Sequence, residues 1–220
     1  MSRFFCGFFK YTAYPLEMVF FRPKYYYEDE ASQNRTLEGP AIIVANHNTL
    51  YDFAMIQQTF IGSHIRCLMA DILFKSQPLK WFLTALDGIK ISREGKNFAF
   101  IEESVDILKK GGIIEIYPES RLPVEGEPTP LEFKPSAAYI AILSGAPVVP
   151  VYTDGNYFGK GNAHVMIGKK IYPEDIIDKD AEIGENIKTL TEYMRNKIIE
   201  LRDETERRKE EKAKKKGKKV

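Results

Sequence analysis

Short apolar runs alternate with helical segments along most of this 220-residue chain, and this alternation restricts its fold more than any other feature. Runs with the length and composition of strands lie at residues 41–44, 64–70, 88–93, 113–117, 147–152 and 163–167. Segments with helical spacing lie between them, at residues 53–60, 74–86, 97–110 and 137–143. Strands that alternate with helices form a mainly parallel sheet with helices on both faces. The sequence therefore predicts an α/β fold of this kind.

The two ends of the chain differ in composition from its middle. Residues 1–27 are rich in phenylalanine and tyrosine, residues 28–202 hold the alternating elements, and residues 203–220 are charged and rich in lysine. The folded part ends in an apolar stripe that predicts a C-terminal helix, made of Ile183, Ile187, Leu190, Met194, Ile198 and Leu201. A charged run of this kind is usually a solvated helix end or a disordered tail, although it could also hold an anionic membrane surface.

The N-terminal segment is predicted to be a helix that lies at a membrane surface. Four aromatic residues share one helical face: Phe4, Phe5, Phe8 and Phe9. Aromatic residues beside basic ones are typical of the membrane interface. Lys10, Pro15 and Glu17 interrupt the apolar run, whereas a helix that spans a bilayer needs about 20 mostly apolar residues. The alternative is a helix that packs its aromatic face on the domain's own core.

Net charge, cysteines and histidines exclude several classes of protein. The formal net charge of +1 favours neither a nucleic acid nor a strongly acidic partner. Cys6 and Cys67 give no disulfide framework, which fits a reducing compartment. The histidines at positions 47, 64 and 164 lack zinc-binding spacing, so no metal site is predicted. With the N-terminal segment, these observations predict a protein bound peripherally or monotopically to the cytoplasmic face of a membrane.

His47 and Asp52 stand where the first predicted strand ends and the next helix begins. In open α/β sheets, sites form at the carboxyl ends of strands. A carboxylate that fixes the tautomer of a histidine and stabilises its cation makes that histidine a general base. The alternative is that Asp52 only caps the helix that follows.

Charged residues also follow two other predicted strands. Arg93 ends the run at 88–93, and Glu119 and Arg121 follow the run at 113–117. Arginine is suited to bidentate contact with phosphate. A general base together with two arginines suggests deprotonation of a hydroxyl group near a phosphate. The chain has no glycine-rich phosphate loop, so a nucleotide site is not expected.

Four sequence blocks occur in order between residues 39 and 152. They are Asn46-His47 followed after four residues by Asp52; Gly88-Ile89-Lys90-Ile91-Ser92-Arg93; Tyr117-Pro118-Glu119-Ser120-Arg121, with Phe133-Lys134 beyond it; and Val148-Val149-Pro150-Val151. This order resembles the glycerolipid acyltransferase family, in particular its 1-acylglycerol-3-phosphate acyltransferases. The third block departs from the family pattern, because a single Ser120 stands where Gly-Thr is usual and Arg121 is one position closer to Glu119.

The resemblance implies direct transfer of a fatty acyl group from acyl-CoA or acyl-ACP to the free hydroxyl of a lysophospholipid. The expected acceptor is 1-acylglycerol-3-phosphate, which would give phosphatidic acid. His47 is then the general base, oriented by Asp52, with no covalent acyl-enzyme, metal or cofactor. The residues implied to bind the acceptor are Arg93, Glu119, Ser120, Arg121 and Lys134. The alternatives are a thioesterase or lipid hydrolase that uses the same pair, and a non-catalytic family member that binds lipid.

Overall fold

A seven-stranded sheet lies at the centre of the structure, a computed structural model that describes residues 2–30, 33–92, 98–159 and 161–217. The strands are β1 (Lys24–Tyr27), β2 (Ala41–Ala45), β3 (Ile65–Ala70), β4 (Ile89–Ile91), β5 (Ile113–Ile116), β6 (Val148–Thr153) and β7 (His164–Ile167). The helices are α1 (Ser2–Phe21), α2 (Asp52–Thr59), α3 (Gln77–Ala85), α4 (Ala99–Lys109), α5 (Ser136–Ser144) and α6 (Ile183–Gly217). Short 3-10 helices lie at Asp71–Phe74 and Pro173–Asp175.

The strands run mostly in one direction, in the order β1-β7-β6-β2-β5-β3-β4 across the sheet. Strands β2, β3, β4, β5 and β6 are parallel to their neighbours in this group, whereas β7 is antiparallel to β6 and parallel to β1. The carboxyl ends of the parallel group therefore lie at one edge of the sheet, beside the amino ends of β1 and β7. We call this the carboxyl edge.

Helices cover both faces of the sheet, as predicted. Every residue of β2 is buried, and alternate side chains point to opposite faces. Ile42 and Val44 pack with residues of α4, α5 and α6, while Ile43 packs with residues of α2 and the end of α1. A strand buried on both faces needs a continuous apolar run, which is why this segment was recognisable in the sequence.

The aromatic N-terminal segment divides into helix α1 and the edge strand β1, which pairs with β7. The predicted aromatic face of α1 is also divided. Phe5 packs edge-on against Trp81 of α3 with 5.3 Å between ring centroids, and Phe9 packs on α3 in the same way. Phe4 and Phe8 are exposed. Among the described residues, no helix combines the length and the apolar character that a bilayer crossing requires.

Helix α6 continues without a break past residue 202, where the sequence suggests that the folded domain ends. Leu201 is buried, and so is Thr205, beyond the predicted apolar stripe. One turn further on, Lys209 Nζ lies 3.3 Å from Asp154 Oδ2, directly after β6. The first turns of the charged tail are therefore docked on the sheet at the carboxyl edge.

Candidate active site

His47 and Asp52 meet at the carboxyl edge, where His47 lies in the loop after β2 and Asp52 is the first residue of α2. Asp52 is fully buried, and its Oδ2 lies 3.0 Å from His47 Nδ1. The same oxygen accepts backbone N–H groups from Asn48 at 2.6 Å and Thr49 at 2.7 Å. Because Oδ2 acts as an acceptor in all these contacts, Nδ1 carries the hydrogen. The other ring nitrogen, Nε2, is then the one able to take up a proton.

The second oxygen of Asp52 has a partner that the sequence analysis missed. Tyr157, in the loop after β6, donates its hydroxyl to Asp52 Oδ1 at 2.9 Å, and this hydroxyl also lies 2.7 Å from Thr153 Oγ1. The carboxylate binds N–H groups that precede α2 rather than groups within its first turn. Asp52 therefore orients His47 and does not serve as a simple helix cap.

Side-chain amides join the ends of β2 and β6 below this pair. Asn46 Nδ2 donates to the Thr153 carbonyl at 2.9 Å, and the Thr153 N–H donates to Asn46 Oδ1 at 2.9 Å. Asn48 Nδ2 reaches the same carbonyl at 2.8 Å. These bonds continue the ladder between the two strands and hold the loop that carries His47.

Glu119, from the third block, holds the backbone of the loop that carries His47. Its Oε1 accepts the His47 N–H at 2.9 Å, and its Oε2 accepts the Leu131 N–H at 2.8 Å. Burial raises the pKa of the Glu119 carboxyl above its ordinary value, although the two N–H groups act in the opposite direction. Both oxygens are engaged within the protein, so the predicted contact between Glu119 and the acceptor stays a prediction.

Tyr117 connects the imidazole of His47 to a buried polar network. Its ring is stacked on that of His47, with 4.4 Å between centroids, and its hydroxyl donates to Glu115 Oε1. Gln57 Nε2 donates to the other oxygen of Glu115 at 3.1 Å. Burial raises the pKa of Glu115 to about 8, so this carboxyl is mainly neutral at pH 7. A carboxyl group inside the apolar run 113–117 was the available sequence signal for this network.

The remaining predicted site residues are placed differently. Arg121 is exposed and forms a bidentate pair with Glu127, with nitrogen–oxygen distances of 2.8 and 2.5 Å. The Lys134 side chain is exposed, and its backbone N–H binds the loop after β5. Ser120, directly before Arg121, lies in the turn after β5 with φ +61°. Arg93 lies outside the described residues. The structure thus brings His47, Asp52 and Glu119 together, while the phosphate-binding roles stay predictions.

Fold and site together define an α/β protein with a histidine–carboxylate pair at the carboxyl edge of a mainly parallel sheet. A family model described as Acyltransferase matches residues 25–154 of the chain. This match covers more than half of the chain, which therefore belongs to the acyltransferase family. The family resemblance of the four blocks and the predicted enzyme class are confirmed.

Two individual proteins are similar to this chain, one in sequence and one in structure. The 1-acyl-sn-glycerol-3-phosphate acyltransferase of Bacillus subtilis (strain 168) is 24% identical over 174 residues, which cover 77% of this chain and 84% of that protein. The crystal structure of the 1-acyl-sn-glycerophosphate (LPA) acyltransferase PlsC from Thermotoga maritima superposes with a TM-score of 0.65 and 20% identity. That match covers 90% of this chain and 77% of the other chain and confirms the α/β fold.

Proposed function

We propose that this protein transfers a fatty acyl group from a thioester, acyl-CoA or acyl-ACP, to the free hydroxyl of 1-acylglycerol-3-phosphate, giving phosphatidic acid. The observation that carries the proposal is the contact between His47 Nδ1 and the buried, fully hydrogen-bonded Asp52. Family membership supports acyl transfer, and the similarity to the 1-acyl-sn-glycerol-3-phosphate acyltransferase of Bacillus subtilis supports this acceptor.

The proposed reaction needs one general base and no covalent acyl-enzyme. His47 Nε2 removes the proton from the acceptor hydroxyl, and the oxygen attacks the carbonyl carbon of the thioester. The tetrahedral intermediate collapses with cleavage of the carbon–sulfur bond, and the imidazolium returns its proton to the leaving thiolate. Asp52 stabilises the imidazolium formed between these two steps, and Tyr157 and the backbone N–H groups keep the carboxylate in place.

The acceptor phosphate is assigned to the basic residues of the second and third blocks. Arg93, Arg121 and Lys134 are the candidates, and Ser120 shapes the turn that carries Arg121. Arg121 is paired with Glu127, so to bind a phosphate its guanidinium would have to leave Glu127 or contact both groups at once. We assign the protein to the cytoplasmic face of a membrane, where a lysophospholipid acceptor resides, and the exposed Phe4 and Phe8 of α1 support contact with that surface.

An acyl-transfer assay with the purified protein tests the proposal. Acyl-CoA and acyl-ACP are offered separately, each with 1-acylglycerol-3-phosphate, other lysophospholipids and glycerol-3-phosphate. We expect phosphatidic acid from 1-acylglycerol-3-phosphate. Release of free fatty acid with no acylated acceptor would instead identify a thioesterase or hydrolase, and no reaction of the donor would identify a lipid-binding protein.

The chain offers a matched control for the catalytic histidine. His47→Ala should lower turnover by at least ~10²–10⁴-fold, the usual contribution of a general base. His64 is equally buried, with 18% of its side chain exposed against 19% for His47, and it also pairs with an aspartate, Asp87, at 3.2 Å. It precedes β3, at the opposite edge of the sheet, so His64→Ala should leave turnover near the wild-type value. Near-wild-type turnover of folded His47→Ala would refute the mechanism.

A further inference from the structure

An exposed apolar patch lies directly beside the catalytic pair. It consists of Phe20 at the end of α1, Leu50 and Tyr51 between His47 and Asp52, and Phe158 after Tyr157; we call it the edge patch. Leu50 is 71% exposed and Phe158 is 53% exposed. The Phe158 ring contacts both other aromatic rings of the edge patch, with its centroid 4.8 Å from that of Tyr51 and 5.8 Å from that of Phe20.

The backbone holds Phe158 in this exposed position at a cost. Its φ is +59°, a left-handed conformation that is unfavourable for a bulky L-residue. Beneath it, the buried Phe21 contacts both Phe158 and Tyr157, with centroid distances of 5.2 and 4.8 Å. About half of the Phe158 side chain stays exposed, so contact between the edge patch and another apolar surface would bury further apolar area.

Exposed cations lie at the same edge of the sheet as the edge patch. Arg22 and Lys24 are exposed just before and at the start of β1, at the carboxyl edge. Helix α6 runs toward the same edge, because Leu201 lies near the middle of β6 and Lys209 reaches the residue after its end. Beyond that contact the exposed charged side chains of α6 are first acidic, at Glu210 and Glu211, and then basic, as at Lys214. Aromatic groups bordered by cations match a bilayer interface that carries anionic headgroups.

We propose that the edge patch inserts into the interfacial layer of an anionic lipid bilayer while the surrounding cations bind its headgroups. This inference deepens the proposed function, since it places Nε2 of His47 at the membrane surface where a lysophospholipid presents its hydroxyl. The edge patch adds a second point of contact to the exposed residues of α1. Insertion of the edge patch turns the carboxyl edge toward the lipid.

Vesicle co-sedimentation tests the edge patch without any turnover. The probes are phosphatidylcholine vesicles with and without phosphatidylglycerol. Leu50→Ser/Phe158→Ser should weaken binding roughly tenfold or more, the effect of exposing rather than burying two large apolar side chains. The control is Ile183→Ser, which alters a residue as exposed as Phe158 (53%) at the distant end of α6 and should bind like the wild type. Binding should also require phosphatidylglycerol and weaken with salt.

A fluorescence variant covers the case in which the double variant fails to fold. The chain has a single tryptophan, Trp81, so Phe158→Trp in a Trp81→Phe background reports on the edge patch alone. Its emission should shift to shorter wavelength with anionic vesicles and be quenched by brominated lipid. An unchanged spectrum, or equal vesicle binding by Leu50→Ser/Phe158→Ser and wild type, would overturn the proposal.

Kinetic measurements separate this inference from the proposed function. Leu50→Ser/Phe158→Ser should lose activity on acceptor held in vesicles and keep activity on a short-chain, water-soluble acceptor. If the variant instead raises KM for soluble donor or acceptor while vesicle binding is unchanged, the edge patch binds substrate chains or a carrier protein, and the membrane proposal is wrong. Absence of all acyl transfer, with vesicle binding as expected, would refute only the proposed function.

Discussion

Asp52→Asn should leave the protein folded while removing most of its activity. The amide oxygen can take the place of Oδ2 and keep its N–H donors, which include His47 and Thr49. The amide nitrogen then faces Tyr157, whose hydroxyl can rotate to accept from it and donate to Thr153. No hydrogen bond is lost, but charge-assisted bonds become neutral ones of about half the strength, so we expect a loss of roughly 1–3 kcal/mol in the free energy of unfolding.

The loss of activity follows from the charge. A carboxylate 3.0 Å from an imidazolium stabilises it by about 5 kcal/mol at an effective dielectric constant of about 20. The amide dipole retains part of this attraction, so turnover should fall ~10²–10³-fold, less than in His47→Ala. Because the amide oxygen still faces Nδ1, the tautomer of His47 is kept.

Two measurements check this reasoning about Asp52. In urea unfolding, Asp52→Ala should lose more of the free energy of unfolding than Asp52→Asn does, roughly 2–6 kcal/mol. The reason is that the N–H groups of Asn48 and Thr49 would be left without a partner in the protein. Turnover is then measured for folded Asp52→Asn. If that variant keeps more than about a tenth of wild-type turnover, the charge of Asp52 does not serve the reaction.

Three further predictions concern the third block and its supports. The pKa of the buried Glu115 is raised to about 8, so the folded protein keeps a proton that the unfolded chain releases above about pH 4. The free energy of unfolding should therefore fall as pH rises from about 4 to about 8. Glu115→Gln should flatten this pH dependence in urea titrations. Ser120→Gly should stabilise the protein by roughly 1 kcal/mol by relieving the left-handed backbone, whereas Ser76→Gly, at φ −81°, should not. Arg121→Lys should raise KM for the phosphorylated acceptor more than it lowers turnover, and Glu127→Gln, which frees Arg121 from its partner, should lower the same KM. If both variants have the wild-type KM, Arg121 does not contact the phosphate.

The fold was predictable because its main signal is local. Each buried strand is a short apolar run, and the helices between them have regular spacing, so no knowledge of distant contacts was needed. Strand β1 was missed because its residues, Lys24–Tyr27, belong to a continuous aromatic segment with no boundary at this point. The packing of α1 could not be predicted either, since Phe4 and Phe5 are alike in sequence and only the position of Trp81 makes one exposed and the other packed.

The candidate site was predictable only where its parts are close in sequence. His47 and Asp52 are separated by one loop, so their spacing revealed the pair. Tyr157 reaches the same carboxylate from 105 positions away, and Glu119 reaches the His47 backbone from 72 positions away. Such contacts depend on which strands become neighbours, and the two neighbours of β2 in this sheet, β5 and β6, are both distant from it in strand order along the chain.

Strand order also limits where an acceptor phosphate could lie. Strand β2 is flanked by β5 and β6, so the loops with Glu119 and Tyr157 border His47 on its two sides. Strand β4, which carries the second block, is the third strand from β2, and at about 4.8 Å per strand its end lies roughly 14 Å away. The loop after β5, which carries Arg121, is therefore closer to His47 than the second block is. A phosphate held by both blocks would therefore lie over β5 and β3, on the side of His47 away from Tyr157. Arg121 should then affect acceptor binding more strongly than any residue of the loop after β6.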